Sequence, residues 1–546
     1  MSDYELNLTR AILGDHFGPV VESVGHLLAR KGRLPLPLIV RDSGLKLKQV
    51  REALVVMIQH NLATWAEAPM GPRLIVFYQA SIRAILMRQR IGDSLKTIVD
   101  LHDGDGLTIM NHVLVQGKIT PEALKAKLDW KKLTVNRRLL YTEVLHALIR
   151  LRFIEAVQHS DSVSVDDRVM KEDAEAKDKL SAMPSAAEIT KAKKLRMEKA
   201  EAEYQQGNLV GMKRKIADSS DTSALKIRVG SFEMVEEVDE TMHFRVNFER
   251  FNLYLRNHQI VDLVQERTNR SGGAIVRAML GAVEEKMRST HEENSPPVTL
   301  VQITHQLPKD NRITEDIELS TAGLDRGEVD IHGGDNRSQD VVRQFLEVLR
   351  HDSGNILYRD ELRGGGQFRI NFTRARQQLT ERLLFSYLEE KFGILSCRIM
   401  RILNEKGKMD DKQLAKFALL PVKDVRKVVH ELMAHNFVSL QEIPKTADRT
   451  PITCFYLFFT SVSVSTDACL QLHYKELTNL YSRMFYERTL RSRLLAKTQR
   501  EDVQQDQSLL SPADKRALEA LENTMNLLQG SILRLDRQVL LLRDIA

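Results

Sequence analysis

The chain has 546 residues, 42% hydrophobic and 28% charged, with 80 basic against 74 acidic residues and a net charge of +6. At about 150 residues per domain this length suggests three or four domains. There is no run of roughly 18 apolar residues that would mark a transmembrane helix. The opening Met1-Ser2-Asp3-Tyr4-Glu5 lacks the basic and apolar regions of a secretory signal. Three cysteines, Cys397, Cys454 and Cys469, cannot build a disulfide framework or a four-cysteine zinc site, so a reducing compartment is expected. So small a charge surplus does not identify a nucleic-acid binder; it permits one if the cations cluster on a face.

The first module is read over residues 1–81. Val20, Val21, Val24, Leu27 and Leu28 recur at helical spacing up to Lys31-Gly32. Pro37 opens a short second helix carrying Leu38, Ile39 and Val40. After Asp42-Ser43-Gly44, Val50, Leu54, Met57 and Ile58 stripe a third helix that stops at His60-Asn61. Leu62–Trp65 and Leu74–Tyr78 read as a hairpin around Met70-Gly71-Pro72. Three helices and a hairpin is the order of a winged helix.

Residues 82–157 repeat that order. Asp105-Gly106 precedes one helix, Thr120-Pro121-Glu122 starts another, and Leu140, Val144, Leu148 and Leu151 stripe a third before Phe153-Ile154. From 158 to 240 charge replaces apolar periodicity. This stretch is expected to be a disordered linker with transient helix near 185–205. A third copy, residues 241–375, has helices at Ile275–Val283, Val298–Leu307 and Val341–Leu349. Its strands flank Gly364-Gly365-Gly366, and it contains an acidic loop over 308–337.

The fourth copy, residues 376–464, is the closest echo of the first. Its third helix opens at Pro421, buries Val425, Val429, Leu432 and Met433, and ends at His435-Asn436-Phe437, as the first ends at His60-Asn61-Leu62. In residues 465–546, Leu518, Leu521, Met525, Leu528, Ile532, Leu535, Val539, Leu542 and Ile545 are spaced 3, 4, 3, 4, 3, 4, 3, 3. That is a heptad seam, read as a partner-docking or self-packing element. With the upstream stripe Leu470, Tyr474, Leu477, Tyr481 and Met484 it predicts an antiparallel helical hairpin. The fold class expected is therefore mainly α with small β wings: four tandem winged helices and a C-terminal coiled-coil hairpin.

No catalytic or metal motif survives its geometry. His430 and His435 are i and i+5, on different helical faces, where a zinc protease needs i and i+4. Asp103-Gly104-Asp105-Gly106 lacks the calcium-loop carboxylates at Leu101 and His112. Gly117-Lys118 lacks the upstream glycine of a phosphate loop. No cofactor or metal is expected. The cations of the third helices remain as candidate DNA contacts: Lys46, Lys48 and Arg51; Arg137 and Arg138; Lys423, Arg426 and Lys427. Acidic neighbours Glu52, Asp424 and Glu431 favour transient phosphate contact over base readout. Lys213-Arg214-Lys215 is a candidate nuclear-import or nucleic-acid patch.

The residues then meet a family. Asn436-Phe437-Val438-Ser439-Leu440-Gln441-Glu442-Ile443-Pro444-Lys445-Thr446, Thr453-Cys454-Phe455-Tyr456-Leu457, Asp15-His16-Phe17-Gly18, Val56-Met57-Ile58-Gln59-His60-Asn61-Leu62 and Gln116-Gly117-Lys118-Ile119-Thr120 resemble the winged-helix subunit of RNA polymerase III. The modules are also distantly similar to the large subunit of general transcription factor IIE. The resemblance implies a nuclear, non-catalytic subunit of a three-protein initiation subcomplex. Its partners would be the clamp of the largest polymerase subunit, two smaller subunits and, weakly, promoter or downstream DNA; no membrane is implied. It also implies a role in recruitment and DNA opening at transfer RNA, 5S and other small RNA genes. The competing readings are a free winged-helix regulator, which would bind chosen sequences tightly by itself, and a scaffold subunit of another complex.

Overall fold

Helices stop in this chain where a residue leaves the right-handed region, and those residues recur at matched places. The computed structural model describes residues 2–70, 73–164, 167–171, 190, 194, 211–216, 226–229, 232–307, 336–352, 354–360, 366–444, 454–505 and 510–545. These fall in two units, Met1–Phe251 with Thr478–Leu533, and Asn252–Leu477 with Arg534–Ala546.

In the first unit, α1 (Asp3–Phe17) turns at Gly18 (φ +84°, ψ 178°) into α2 (Pro19–Lys31). Only glycine adopts that conformation freely. β1 (Leu34–Pro35), α3 (Leu36–Ser43), α4 (Leu47–Gln59), β2 (Ala63–Met70) and β3 (Arg73–Ala80) follow. β3 is the central strand, with Tyr78 opposite both Leu34 and Trp65. Val24, Leu28, Ile39, Val50, Leu54 and Met57 fill the space beneath.

α5 (Ile82–Met87) leads to α6 (Ile91–Gln116), which breaks at His102 and Asp103. α7 (Pro121–Lys127) and α8 (Val135–Arg150) precede β4 (Ile154–Ala156). In α8, Tyr141 and Leu148 take inward positions, while Leu140, expected in the buried stripe, is exposed. The partner of β4 is β8 (Phe244–Val246), and Ile119 bridges to Phe244 on the same strand. The stretch expected to link the second and third modules is therefore an insertion in the second module's hairpin. It also holds a sheet, β5 (Met212–Ile216), β6 (Lys226–Val229) and β7 (Phe232–Val238), in the order β5-β7-β6. Met212 and Val238 pack on the module's core. The helix expected near 185–205 lies almost wholly outside the described residues.

In the second unit, α9 (Phe248–Arg267), α10 (Arg270–Val283), β9 (Val298–Thr299), α11 (Leu300–Gln306), α12 (Asn336–Arg350), β10 (Leu357–Asp360) and β11 (Gln367–Ile370) repeat the order, and β11 is central. The fully buried Arg256 donates to the carbonyls of Thr290 (3.2 Å) and Ser289 (3.4 Å) and lies 3.8 Å from the centre of the Phe372 ring. Nearly all of the expected acidic loop, and the Gly364-Gly365 part of the expected hairpin turn, lie outside the described residues.

α13 (Phe372–Phe392) turns at Gly393 (φ +84°, ψ 170°) into α14 (Ile394–Lys406). α15 (Asp411–Ala418), α16 (Val422–Ala434), β12 (Ser439–Pro444) and β13 (Cys454–Phe459) complete the module, and Met409 bridges to Phe458. α17 (Val462–Leu490), α18 (Ser492–Thr498), α19 (Glu501–Gln505) and α20 (Pro512–Val539) follow, and the end, Leu540–Ile545, is π-helical. That wider coil departs from the heptad register and buries Leu540, Leu541, Leu542, Asp544 and Ile545 together. Leu540, Leu541 and Ile545 join the core of the third module.

The repeat goes deeper than the helices. A left-handed residue follows each third helix: Asn61, Arg152, Asn355 and Asn436, with φ of +58°, +64°, +49° and +63°. In three modules the next N–H folds back onto the helix: Leu62 to Met57, Phe153 to Leu148 and Phe437 to Leu432, at 2.7, 2.9 and 3.0 Å. A further helix precedes each module and meets it at an elbow, a feature the periodicity does not announce. Phe17 before one elbow packs on His60 at 4.9 Å, and Phe392 packs on His435 at 5.1 Å. The chain is thus mostly helical, with small antiparallel sheets. No helix among the described residues is long and apolar enough to cross a membrane.

Candidate nucleic-acid interface

The third helices bury one stripe and leave the other to solvent, and the solvent stripes differ. On α4, Lys46, Lys48 and Arg51 are exposed. Lys48 lies 3.9 Å from Glu52, a solvent-screened pair of little energetic weight. On α16, Lys423 and Lys427 are exposed and, among the described residues, hold no ion pair. Arg426 differs: its Nε donates to Asp411 Oδ2 at 2.7 Å, so it braces α16 against α15. Sequence spacing could not see that, because Asp411 belongs to another helix.

α8 presents a different face. Arg137 is exposed but 4.0 Å from Asp105, and Arg138 is half-buried and donates to the Lys131 carbonyl at 3.1 Å. Around them Val135 (69% exposed) and Leu139 (54%) make this stripe apolar. A phosphate backbone rewards cations and not exposed aliphatic side chains, so α4 and α16 are the better candidates. Lys213, Arg214 and Lys215 lie on β5, where the register sets Lys213 opposite Glu237 and Arg214 opposite Glu236.

Two stretches that carry the family resemblance meet in space. Gln59 Nε2 donates to the carbonyls of Gln116 (3.1 Å) and Lys118 (2.7 Å), tying the end of α4 to the turn after α6. Gly117 between them has φ +76°, and a Cβ there would sit 2.6 Å from the Gln59 carbonyl oxygen and 2.8 Å from His60 Nδ1. Arg88 stacks over Phe17 at 4.7 Å on the other side. Burial first and Arg88 second push His60 down to about 4, so the ring is neutral at physiological pH. Burial also lowers Arg88 to about 10. None of this joint is visible as periodicity; the Gln-Gly-Lys and Gln-His-Asn tripeptides are its only sequence signal.

Cys469, His473 and Glu476 follow one another along one face of α17 and match a nucleophile, base and orienter in residue type. Their setting is that of a lock. Lys391 on α13 donates to Tyr387 Oη (2.6 Å) and Glu476 Oε1 (2.5 Å), and the fully buried His473 packs on Tyr387 at 4.8 Å. Burial, then the Glu476 charge, pushes the Cys469 thiol up to about 12, so it stays protonated and unreactive. Burial alone would raise Glu476, but hydrogen bonds from His473 and Lys391 outweigh it and hold the carboxyl at about 2. Among the described residues no group of three or more His, Cys, Asp or Glu is placed to hold a metal.

The heptad seam is largely consumed within the chain. Leu521, Ile532, Val539 and Leu542 are buried, and Leu518, Met525, Leu528 and Leu535 are half-buried. What remains exposed on α20 lies off the seam, at Leu527.

Repeated three-helix modules with strand-paired hairpins, two of them presenting cationic third helices, define a winged-helix protein. Comparison with known proteins makes the class specific. Residues 143–379 match the family model of RNA polymerase III subunit RPC82, residues 7–68 match that subunit's helix-turn-helix domain, and residues 384–460 match the C-terminal winged-helix domain of POLR3C. The chain is 27% identical over 566 residues to DNA-directed RNA polymerase III subunit RPC3 of Mus musculus, spanning 100% of this chain and 98% of the relative. The Homo sapiens protein of that name is 27% identical over 570 residues, with the same coverage. The Aspergillus clavatus protein is 24% identical over 637 residues, covering both chains completely. The chain belongs to the RPC3 (RPC82) family of RNA polymerase III subunits.

Proposed function

We propose that this subunit acts in initiation, in the nucleus, as the largest member of a three-protein subcomplex with two smaller subunits, docked on the clamp of the largest polymerase subunit. All four repeats serve as winged helices, α17 and α20 form the arms of a docking hairpin, and the chain contributes no catalytic group of its own. Docking supplies a high effective concentration, so weak phosphate contacts by individual helices become useful beside the cleft. The DNA-facing helices in this reading are α4 and α16, through Lys46, Lys48, Arg51, Lys423 and Lys427.

The observation that carries the reading is the pair of exposed lysines on α16, uncommitted to any carboxylate among the described residues, beside an arginine that is committed. The test replaces Lys423 and Lys427 together with Glu in the assembled polymerase. Promoter opening should fall by about tenfold or more while subunit recovery stays unchanged, since each lost phosphate contact also flattens the salt dependence. Loss of assembly, or retention of opening, would refute the assignment. A free regulator would instead bind a chosen duplex tightly as the isolated chain, and a scaffold of another complex would not copurify with the polymerase.

A further inference from the structure

In three modules the second helix ends on a left-handed residue: Gly44 (φ +66°), Asp129 (φ +50°) and Leu419 (φ +56°). Glycine takes this conformation freely and aspartate is enriched in it, but leucine is neither. Burial normally compensates for a strained apolar residue, and here there is none, since Leu419 is 84% exposed. Phe417, two residues earlier, is 54% exposed. Arg398 Nη1 donates to the Ala418 carbonyl at 3.2 Å, which fixes the start of α14 beside this corner. One turn before Arg398 lie Ile394, 70% exposed, and Leu395, also exposed. A strained leucine left exposed beside an exposed phenylalanine conflicts with local folding preference, and such conflicts gather at functional sites.

The charge around the corner selects the occupant. Arg398 and Lys416 are exposed and, among the described residues, hold no carboxylate. Both carboxylates at the start of α15 are committed elsewhere: Asp410 accepts the Gln413 N–H at 2.6 Å, and Asp411 holds Arg426. We infer that Leu419 is the anchor of a docking corner for another polypeptide, a segment presenting large apolar side chains flanked by carboxylates. An apolar anchor inside a cationic rim matches such a segment in both shape and charge. The inference rests on the subunit reading only in needing a partner chain, and it is independent of the DNA contacts proposed for Lys423 and Lys427.

Two experiments on the assembled polymerase test it. A photoreactive residue at position 419 should crosslink to one peptide of another subunit, rich in apolar residues and carrying carboxylates beside them. Crosslinks to DNA or to this chain, or none, would overturn the proposal. In the second, Leu419→Gly relieves the left-handed strain, so the fold should gain thermal stability, while retention of that subunit at limiting concentration falls about tenfold. A Leu419→Gly chain that is stabilised yet retains its partner fully would overturn the anchor role, and so would one that loses both stability and partner. Failure of the whole chain to copurify with polymerase would instead strike the family reading, which keeps the two outcomes distinct.

Discussion

Gly117→Ala is the sharpest test of how the first two modules are joined. The residue sits at φ +76° and ψ −64°, a γ-turn conformation that is rare and strained for a residue with a side chain. Its new Cβ would lie 2.6 Å from the Gln59 carbonyl oxygen and 3.1 Å from the Gln59 carbonyl carbon, and backbone cannot swing aside as a side-chain end can. Backbone strain of this kind costs about 1–3 kcal/mol. Separating the two strands of the joint also strips Gln59 of its bonds to Gln116 and Lys118, at about 1 kcal/mol each. The sum is about 3–5 kcal/mol. At about 2–4 °C per kcal/mol for a unit of this size, the melting transition should drop by roughly 6–20 °C. Gly44→Ala is the control: its φ is +66°, but an added methyl carbon would have nothing within 4 Å, so only about 1 kcal/mol is at stake. Calorimetry gives the midpoints, and hydrogen exchange of residues 56–62 and 113–119 localises the effect. If Gly117→Ala costs no more than Gly44→Ala and leaves exchange at residues 56–62 unchanged, the joint as described is wrong.

Asp103 (φ +54°, ψ −155°) stands before the helix of the second module, where the first and fourth modules carry Gly18 and Gly393. Asp103→Gly should therefore stabilise the chain by about 1–2 kcal/mol in denaturant titration, and a loss of stability would contradict the strain argument. His60 is held near 4 when folded against an ordinary value of 6.5. Between those values the unfolded chain holds a proton that the folded chain does not, so stability is full above pH 6.5 and declines as pH falls toward 4. After allowance for solvent at the ring edge the loss is about 1–2 kcal/mol, and His60→Gln should flatten the dependence of midpoint on pH over that window. A Leu528→Pro substitution inside α20 removes a helix hydrogen bond and clashes with the preceding turn, at about 3 kcal/mol or more. Clamp association should fall with it, and an unaltered yield of polymerase would exclude α20 as a docking arm.

What the sequence disclosed, and what it hid, follow from the range of the forces involved. Helical stripes such as Val425, Val429 and Leu432 are local, and they located helices such as Leu47–Gln59 and Val422–Ala434. The heptad seam was equally local up to Val539, where burial of Leu540–Ile545 against the third module's core overrides the register in favour of a π-helix. The wing of the second module was illegible because β4 finds its partner only across the insertion, at β8. The insertion itself reads as a charged linker because the short alternation of Met212 to Ile216 and Phe232 to Val238 is diluted by flanking Lys and Glu. Among the site residues, exposure of Lys46, Lys48, Arg51, Lys423 and Lys427 was predictable from the buried stripes opposite. The Arg426–Asp411 pair, the apolar face of α8 and the Gln59–Gly117 joint depend on neighbours brought from other helices, so one helix's pattern could not contain them.

The most direct measurement is affinity purification of the full-length chain from nuclear extract, with stoichiometry of its partners by mass spectrometry. The expected result is recovery of the RNA polymerase III core and two smaller subunits at one copy each. Recovery of the chain alone, or with a different assembly, would contradict it.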